Sequence, residues 1–222
     1  MSVVDYGQRT YVDGKFPIDY ELSGNPNSKN LVVFFHGYGQ HFGFMKKKFS
    51  SLFGDAQFLF INGPYPLAPE ITDEIPKIKL RYAWYFFNPL TKKYFISPDT
   101  PALIIKNLIS SLNLESKNIL FFGFSQGGYL APFVAKFFKK STVIAVNSNI
   151  RYDLLPKKIP MTLFSINGEN DKIVDPQNAR NSTEAFCQQG NVATHIMVKE
   201  SGHYVDENIL IACRQVIEKS FI

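Results

Sequence analysis

The sequence predicts an α/β fold: a mostly parallel central sheet with helices on both faces and an N-terminal antiparallel edge. Three observations predict it. From residue 30 onward, short apolar runs alternate with helical patterns, as strands buried on both faces do. Gly123-Phe124-Ser125-Gln126-Gly127 stands directly between one such run and a helical stretch. The chain has 222 residues, 45% hydrophobic and 19% charged, which suits one domain over 1–222 whose core needs no staples.

The elements follow in order. Thr10–Val12, an Asp13-Gly14 turn and the run Ile18–Leu22 read as a hairpin at the antiparallel edge. Leu31–Phe35 and Phe58–Ile61 are the first two buried strands, and Ile119–Phe122 leads to the serine. Thr142–Val146, Met161–Ile166 and His195–Val198 complete the sheet. Helices are expected at Pro101–Leu112, Gln126–Phe138, Pro176–Gln188 and Glu207–Lys219. Thr100 before Pro101 and Asp175 before Pro176 each read as a cap followed by proline at the first helical position. Pro132 should kink the helix after Ser125 unless that helix is short. One stretch breaks the alternation. Residues 63–97 are rich in proline and aromatics, and a connection of that length in a compact domain is functional or disordered. Its rings argue against disorder.

Several classes are set aside. The N-terminus has no basic segment followed by an apolar one, and no apolar run reaches the ~20 residues of a membrane span. Cys187 and Cys213 read more simply as buried free thiols than as a disulfide. These features together point to the cytoplasm. The net charge of +5 comes from small lysine groups, Lys46–Lys48, Lys92-Lys93, Lys139-Lys140 and Lys157-Lys158, on different elements. They read as solvated faces, with no nucleic-acid motif beside them.

The chemistry begins at Ser125. A sharp strand-to-helix turn, with Gly123 and Gly127 where the two elements come close, thrusts the hydroxyl out at the sheet's carboxyl edge. A serine needs a base to take its proton and a third group to orient that base. Asp171 follows the Met161–Ile166 strand, and His203 follows the last strand, so both loops open on that same edge. Glu169 and Asp175 compete with Asp171, although Asp175 is better explained as a helix cap. His36, His41 and His195 compete with His203; His195 sits in or beside a strand, and His36 reads as a loop-stabilising hydrogen-bonder. In the first loop, His36-Gly37-Tyr38-Gly39-Gln40, two glycines permit a tight turn that frees the Tyr38 N–H. With the N–H of Gln126 it would form an oxyanion hole, against the reading of a plain glycine turn. The order serine, aspartate, histidine is that of the α/β-hydrolase fold.

Phe35-His36-Gly37-Tyr38-Gly39, Gly123-Phe124-Ser125-Gln126-Gly127-Gly128, the Gly168–Val174 loop and Gly202-His203 resemble the phospholipase/carboxylesterase family of small α/β-hydrolases, which includes the acyl-protein thioesterases. Arg81-x-x-Trp84-Tyr85 resembles a segment of that family's connection. The chain departs from the family at Phe86-Phe87, where an acidic residue is common, at Asn147-Ser148-Asn149, where Ser-Gly is frequent, and at Asp175, where proline is frequent.

The expected activity is hydrolysis of small to medium acyl esters or thioesters through an acyl-enzyme, with no cofactor and no metal. Tyr38, Trp84, Tyr85, Phe86, Phe87 and Leu90 are the expected substrate-binding residues. Alternatively, the rings of the connection plug the core or a subunit interface. The expected partner is a small acyl ester or thioester, with no nucleic acid and no integral membrane association, in a monomer or homodimer. A lactonase or amidase on the same fold, or a non-catalytic ligand-binding homologue, are the competing functions.

Overall fold

The computed structural model describes residues 14–68, 70–71 and 78–221. Seven strands form the main sheet: β1 (Tyr20–Gly24), β2 (Asn30–Phe35), β3 (Gln57–Ile61), β4 (Asn118–Phe124), β5 (Ser141–Val146), β6 (Met161–Gly168) and β7 (Val192–Val198). Their order is β1-β3-β2-β4-β5-β6-β7. Only β1 runs antiparallel, pairing Tyr20 with Ile61 and Gly24 with Gln57, so the antiparallel edge is present. The Thr10–Val12 arm and Asp13 of the expected hairpin lie outside the described residues.

Among the described residues five α-helices cover the sheet: α1 (Phe42–Phe49), α2 (Asp99–Ser111), α3 (Gln126–Ala135), α4 (Pro176–Gln188) and α5 (Glu207–Ser220). Alternate residues of each strand serve opposite faces. Val33, Phe35, Phe121 and Val143 pack with α2 and α3, together with Trp84 and Phe186. Val32, Phe34, Phe122 and Ile144 pack with Met45 and Phe49 of α1 and with Ile209, Cys213 and Ile217 of α5. Each ring so buried contributes about 1.5–3 kcal/mol. Phe34 shows how the rings are used: it stacks on Phe60 at 4.6 Å and meets Phe53 edge-on at 5.7 Å.

Four local expectations need adjustment. Helix α1 was not expected, because Lys46–Lys48 interrupt the apolar pattern; its buried face is Met45 and Phe49. Helix α2 begins at Asp99, so Thr100 is inside it rather than its cap, and the Ser97 hydroxyl accepts the Asp99 N–H. Helix α3 stops at Ala135 instead of Phe138: Pro132 supplies no N–H to the preceding turn, and the chain continues with i→i−3 bonds at Phe137 and Phe138. Among its described residues the 63–97 connection contains three short antiparallel pairs, Tyr65–Pro66 with Tyr82–Ala83, Glu70–Ile71 with Ile78–Lys79, and Phe86–Asn88 with Lys93–Ile96. Asp175 does cap α4, accepting the Asn178 N–H at 2.7 Å. Cys187 and Cys213 are both free thiols. Among the described residues no helix is long and apolar enough to cross a membrane.

Candidate active site

Strand β4 ends at Phe124 and α3 starts at Gln126, leaving Ser125 alone to make the turn. Its φ of 50° and ψ of −118° are strained for a residue with a Cβ, and the surrounding contacts hold it there. The turn is tight enough that a Cβ on Gly123 would lie 2.2 Å from the Gly127 carbonyl oxygen. A Cβ on Gly127 would lie 2.2 Å from that of Phe35. The Ser125 N–H donates to the Val146 carbonyl at 2.8 Å, which anchors the turn to the neighbouring strand.

The three loops meet. His203 Nε2 lies 3.0 Å from Ser125 Oγ, and His203 Nδ1 lies 2.7 Å from Asp171 Oδ2. The other carboxylate oxygen of Asp171 accepts the N–H groups of Ile173 and Val174 at 2.8 and 2.9 Å. The Asp171 side chain is fully buried and that of His203 is 19% exposed. The rival acids stand apart from the imidazole: Asp175 caps α4, and Glu169 accepts from the Glu200 N–H. The rival histidines are likewise accounted for. His41 caps α1, and His195 lies within β7. His36 is buried, with Nδ1 donating to the Gly37 carbonyl and Nε2 accepting the Gly63 N–H at 2.9 Å. Burial, opposed by the Gly37 carbonyl and aided by His41, lowers the His36 pKa to about 4, so the ring is neutral.

Among the described residues, the backbone N–H groups of Gln126 and Tyr38 have no hydrogen-bond acceptor. Gln126 opens α3, so its N–H has no carbonyl within the helix, and the Tyr38 N–H donates to no backbone group among the described residues. The Tyr38 loop is held by Gly37 N–H to Gln40 Oε1 at 2.9 Å and Gly39 N–H to the Tyr82 carbonyl at 2.9 Å.

A groove of about 570 Å³ opens over Ser125 and His203, lined also by Tyr38, Phe44, Lys48, Phe124, Ile173 and Tyr204. Of the expected substrate-binding residues, only Tyr38 lines it. Trp84 and Tyr85 are core residues, since the Trp84 indole N–H donates to the His36 carbonyl at 2.8 Å and its ring packs edge-on to Phe35. Phe86 packs on Tyr65, and Phe87 packs on Tyr94. Leu90, at the tip of the Phe86–Ile96 hairpin, is 89% exposed. The connection therefore braces the site from behind, and α1 with the Ile173 and Tyr204 loops supplies the walls. Tyr204 follows His203 directly and Ile173 lies in the Asp171 loop, so their place was available from the motifs; Phe44 and Lys48 required α1 to be seen.

A second layer of polar side chains fixes the loops. Asn147, at φ 48° just past β5, donates from Nδ2 to the Gly202 carbonyl at 3.0 Å and accepts the Gly168 N–H at 2.9 Å. It thus ties the Asp171 loop to the His203 loop.

Solved structures share this arrangement of strands and helices. Esterase PE8 matches with a TM-score of 0.71 at 18% identity, over 91% of this chain and 98% of that one. Zea mays acyl-protein thioesterase 2 matches with a TM-score of 0.69 at 14% identity, over 90% and 98%. The Bacillus cereus carboxylesterase matches with a TM-score of 0.66 at 11% identity, over 92% and 95%. No curated protein matches by sequence. The family model described as serine hydrolase (FSH1) matches residues 26–208, and the chain belongs to that family.

Proposed function

We propose that this serine hydrolase is a carboxylesterase, acting on small to medium acyl esters or thioesters through an acyl-enzyme. The observation that carries the reading is the single imidazole spanning Ser125 Oγ at 3.0 Å and the buried Asp171 carboxylate at 2.7 Å. Ser125 attacks the carbonyl carbon while His203 Nε2 takes its proton. Asp171 holds the Nδ1–H tautomer and stabilises the imidazolium that forms. The oxyanion is received by the N–H groups of Tyr38 and Gln126, and loss of one such donor typically costs about 3 kcal/mol. His203 returns its proton to the leaving oxygen or sulfur, the alcohol or thiol departs, and water attacks the acyl-serine by the same route in reverse.

The free thiols and the absence of a membrane-crossing helix among the described residues fit action in the cytoplasm on a small-molecule substrate. The test is a panel of p-nitrophenyl esters and acyl thioesters of graded chain length, run on the native protein and on Ser125→Ala. In a related mechanism, loss of the nucleophile costs on the order of 10⁶ in turnover. A fall of less than about a hundredfold, with no labelling of Ser125 by a fluorophosphonate, rejects the assignment.

A further inference from the structure

Among the described residues the groove wall carries one lysine, Lys48, and its position bears on the substrate. Lys46 and Lys48 are neighbours in sequence with different fates. Lys46 is bound to Glu21 at 2.6 Å, whereas Lys48 lines the groove and has no ion-pair or hydrogen-bond partner among the described residues. Phe44 and Lys48 stand four residues apart on α1, so they share a face one turn apart. The Phe44 ring packs on Phe124 at 5.6 Å, and Phe124 packs on His203 at 5.4 Å. From the reacting serine outward, the wall therefore runs His203, Phe124, Phe44, Lys48: two apolar rings and then an ammonium. None of the lining side chains among the described residues is a carboxylate.

We propose, resting on the esterase reading above, that the preferred substrates are esters whose acyl chain ends in a carboxylate, selected by Lys48. The methylenes lie along Phe124 and Phe44, burying apolar surface. The terminal carboxylate then meets a cation that a neutral chain leaves to water. The acyl side is favoured over the leaving group because the carbonyl-binding Tyr38 and the Phe44–Lys48 wall belong to one segment, β2 to α1. The leaving group departs beside His203, near Ile173 and Tyr204. The net charge of +5 also favours anions at long range.

The experiment measures kcat/KM ratios for p-nitrophenyl hydrogen adipate over p-nitrophenyl hexanoate, and for the hydrogen suberate over the octanoate. The expected ratio for the native protein exceeds about fivefold at low ionic strength and shrinks in 0.5 M salt, as an exposed ion pair should. Lys48→Gln brings the ratio to about one, and Lys48→Glu inverts it. Lys47→Gln, which removes an equal charge outside the groove, leaves the ratio unchanged. A native ratio at or below one, or a preference that survives Lys48→Gln, overturns the proposal. So does selectivity confined to leaving-group anions, read by comparing 4-carboxyphenyl with 4-carbamoylphenyl hexanoate. Fluorophosphonate labelling of Ser125 separates the two ideas: labelling with the wrong ratios rejects only the carboxylate preference. No labelling and no turnover of any ester rejects both.

Discussion

The Gln126 side chain accepts the Trp84 backbone N–H at 3.0 Å and donates to the Tyr85 carbonyl at 2.9 Å, so the residue after the serine grips the aromatic connection. Gln126 thus opens α3 with its main chain and uses its side chain to brace the segment behind it. Gln126→Ala leaves a buried N–H and a buried carbonyl unpaired, which costs about 2–3 kcal/mol in urea unfolding. The main-chain N–H remains, so turnover of p-nitrophenyl acetate is expected to fall by only about tenfold. A loss matching that of Ser125→Ala would show that the side chain does more than brace.

Asn147 joins the loop that carries Asp171 to the loop that carries His203. Its left-handed φ of 48° suits asparagine or glycine, which separates two contributions. Asn147→Gly keeps the backbone conformation and removes the clamp; kcat is expected to fall about 10–100-fold as the imidazole loses its alignment. Asn147→Ala adds backbone strain of about 1 kcal/mol, visible in the urea midpoint. Unchanged kcat in both variants would remove Asn147 from the positioning of the site.

The sheet is legible because Leu31–Phe35, Phe58–Ile61 and Ile119–Phe122 are unbroken apolar runs and the remaining parallel strands are mostly apolar, with Thr162, Ser165 and His195 as interruptions; the Ser125, Asp171 and His203 loops are legible because each follows one of these strands. The walls of the groove are not. Met45 and Phe49 mark a buried face of α1, but three successive lysines hide it, and with it Phe44 and Lys48. Aromatics in a long connection suit either a ligand pocket or the core, and sequence pattern alone does not choose between them for Trp84 and Tyr85. What sequence cannot show is that the Trp84 indole finds an internal acceptor in the His36 carbonyl, which lets the ring sink into the core. Local pattern reports burial well; it does not report which surface a buried ring faces.

The serine turn tolerates no added carbon. Gly127→Ala would bring a Cβ to 2.2 Å from the Phe35 carbonyl oxygen, a backbone atom that cannot swing aside. The variant is expected to be recovered unfolded or at least 3 kcal/mol less stable. Gly54→Ala, where nothing lies within 4 Å of the new methyl, should match the native melting temperature. Equal stability of the two variants would mean that the turn is looser than described.

Asp171 makes two kinds of bond, one to the imidazole and two to its own loop. Asp171→Asn keeps an acceptor for the Ile173 and Val174 N–H groups but disfavours the productive histidine tautomer. By analogy with the same change in a serine protease, kcat should drop on the order of 10⁴-fold while the fold persists. Circular dichroism and steady-state kinetics on one preparation check both halves. An active Asp171→Asn protein would point to another orienting group.

Burial of neutral His36 makes the fold acid-sensitive. Its pKa lies near 4 in the folded chain against 6.5 for the free side chain, chiefly because burial disfavours the charged ring. Both nitrogens are already committed, Nδ1 to the Gly37 carbonyl and Nε2 to the Gly63 N–H, so a second ring proton would face a donor. Below pH 6.5 the unfolded chain binds this proton and the folded chain does not, so stability must decline as pH falls. The contribution is intact above pH 6.5 and is lost progressively down to about pH 4, at about 1.4 kcal/mol per pH unit and roughly 3 kcal/mol in all. His36→Gln should be less stable at pH 7, yet show a shallower fall between pH 6.5 and 4 in urea titrations. Parallel curves for the two proteins would assign the acid sensitivity to other groups.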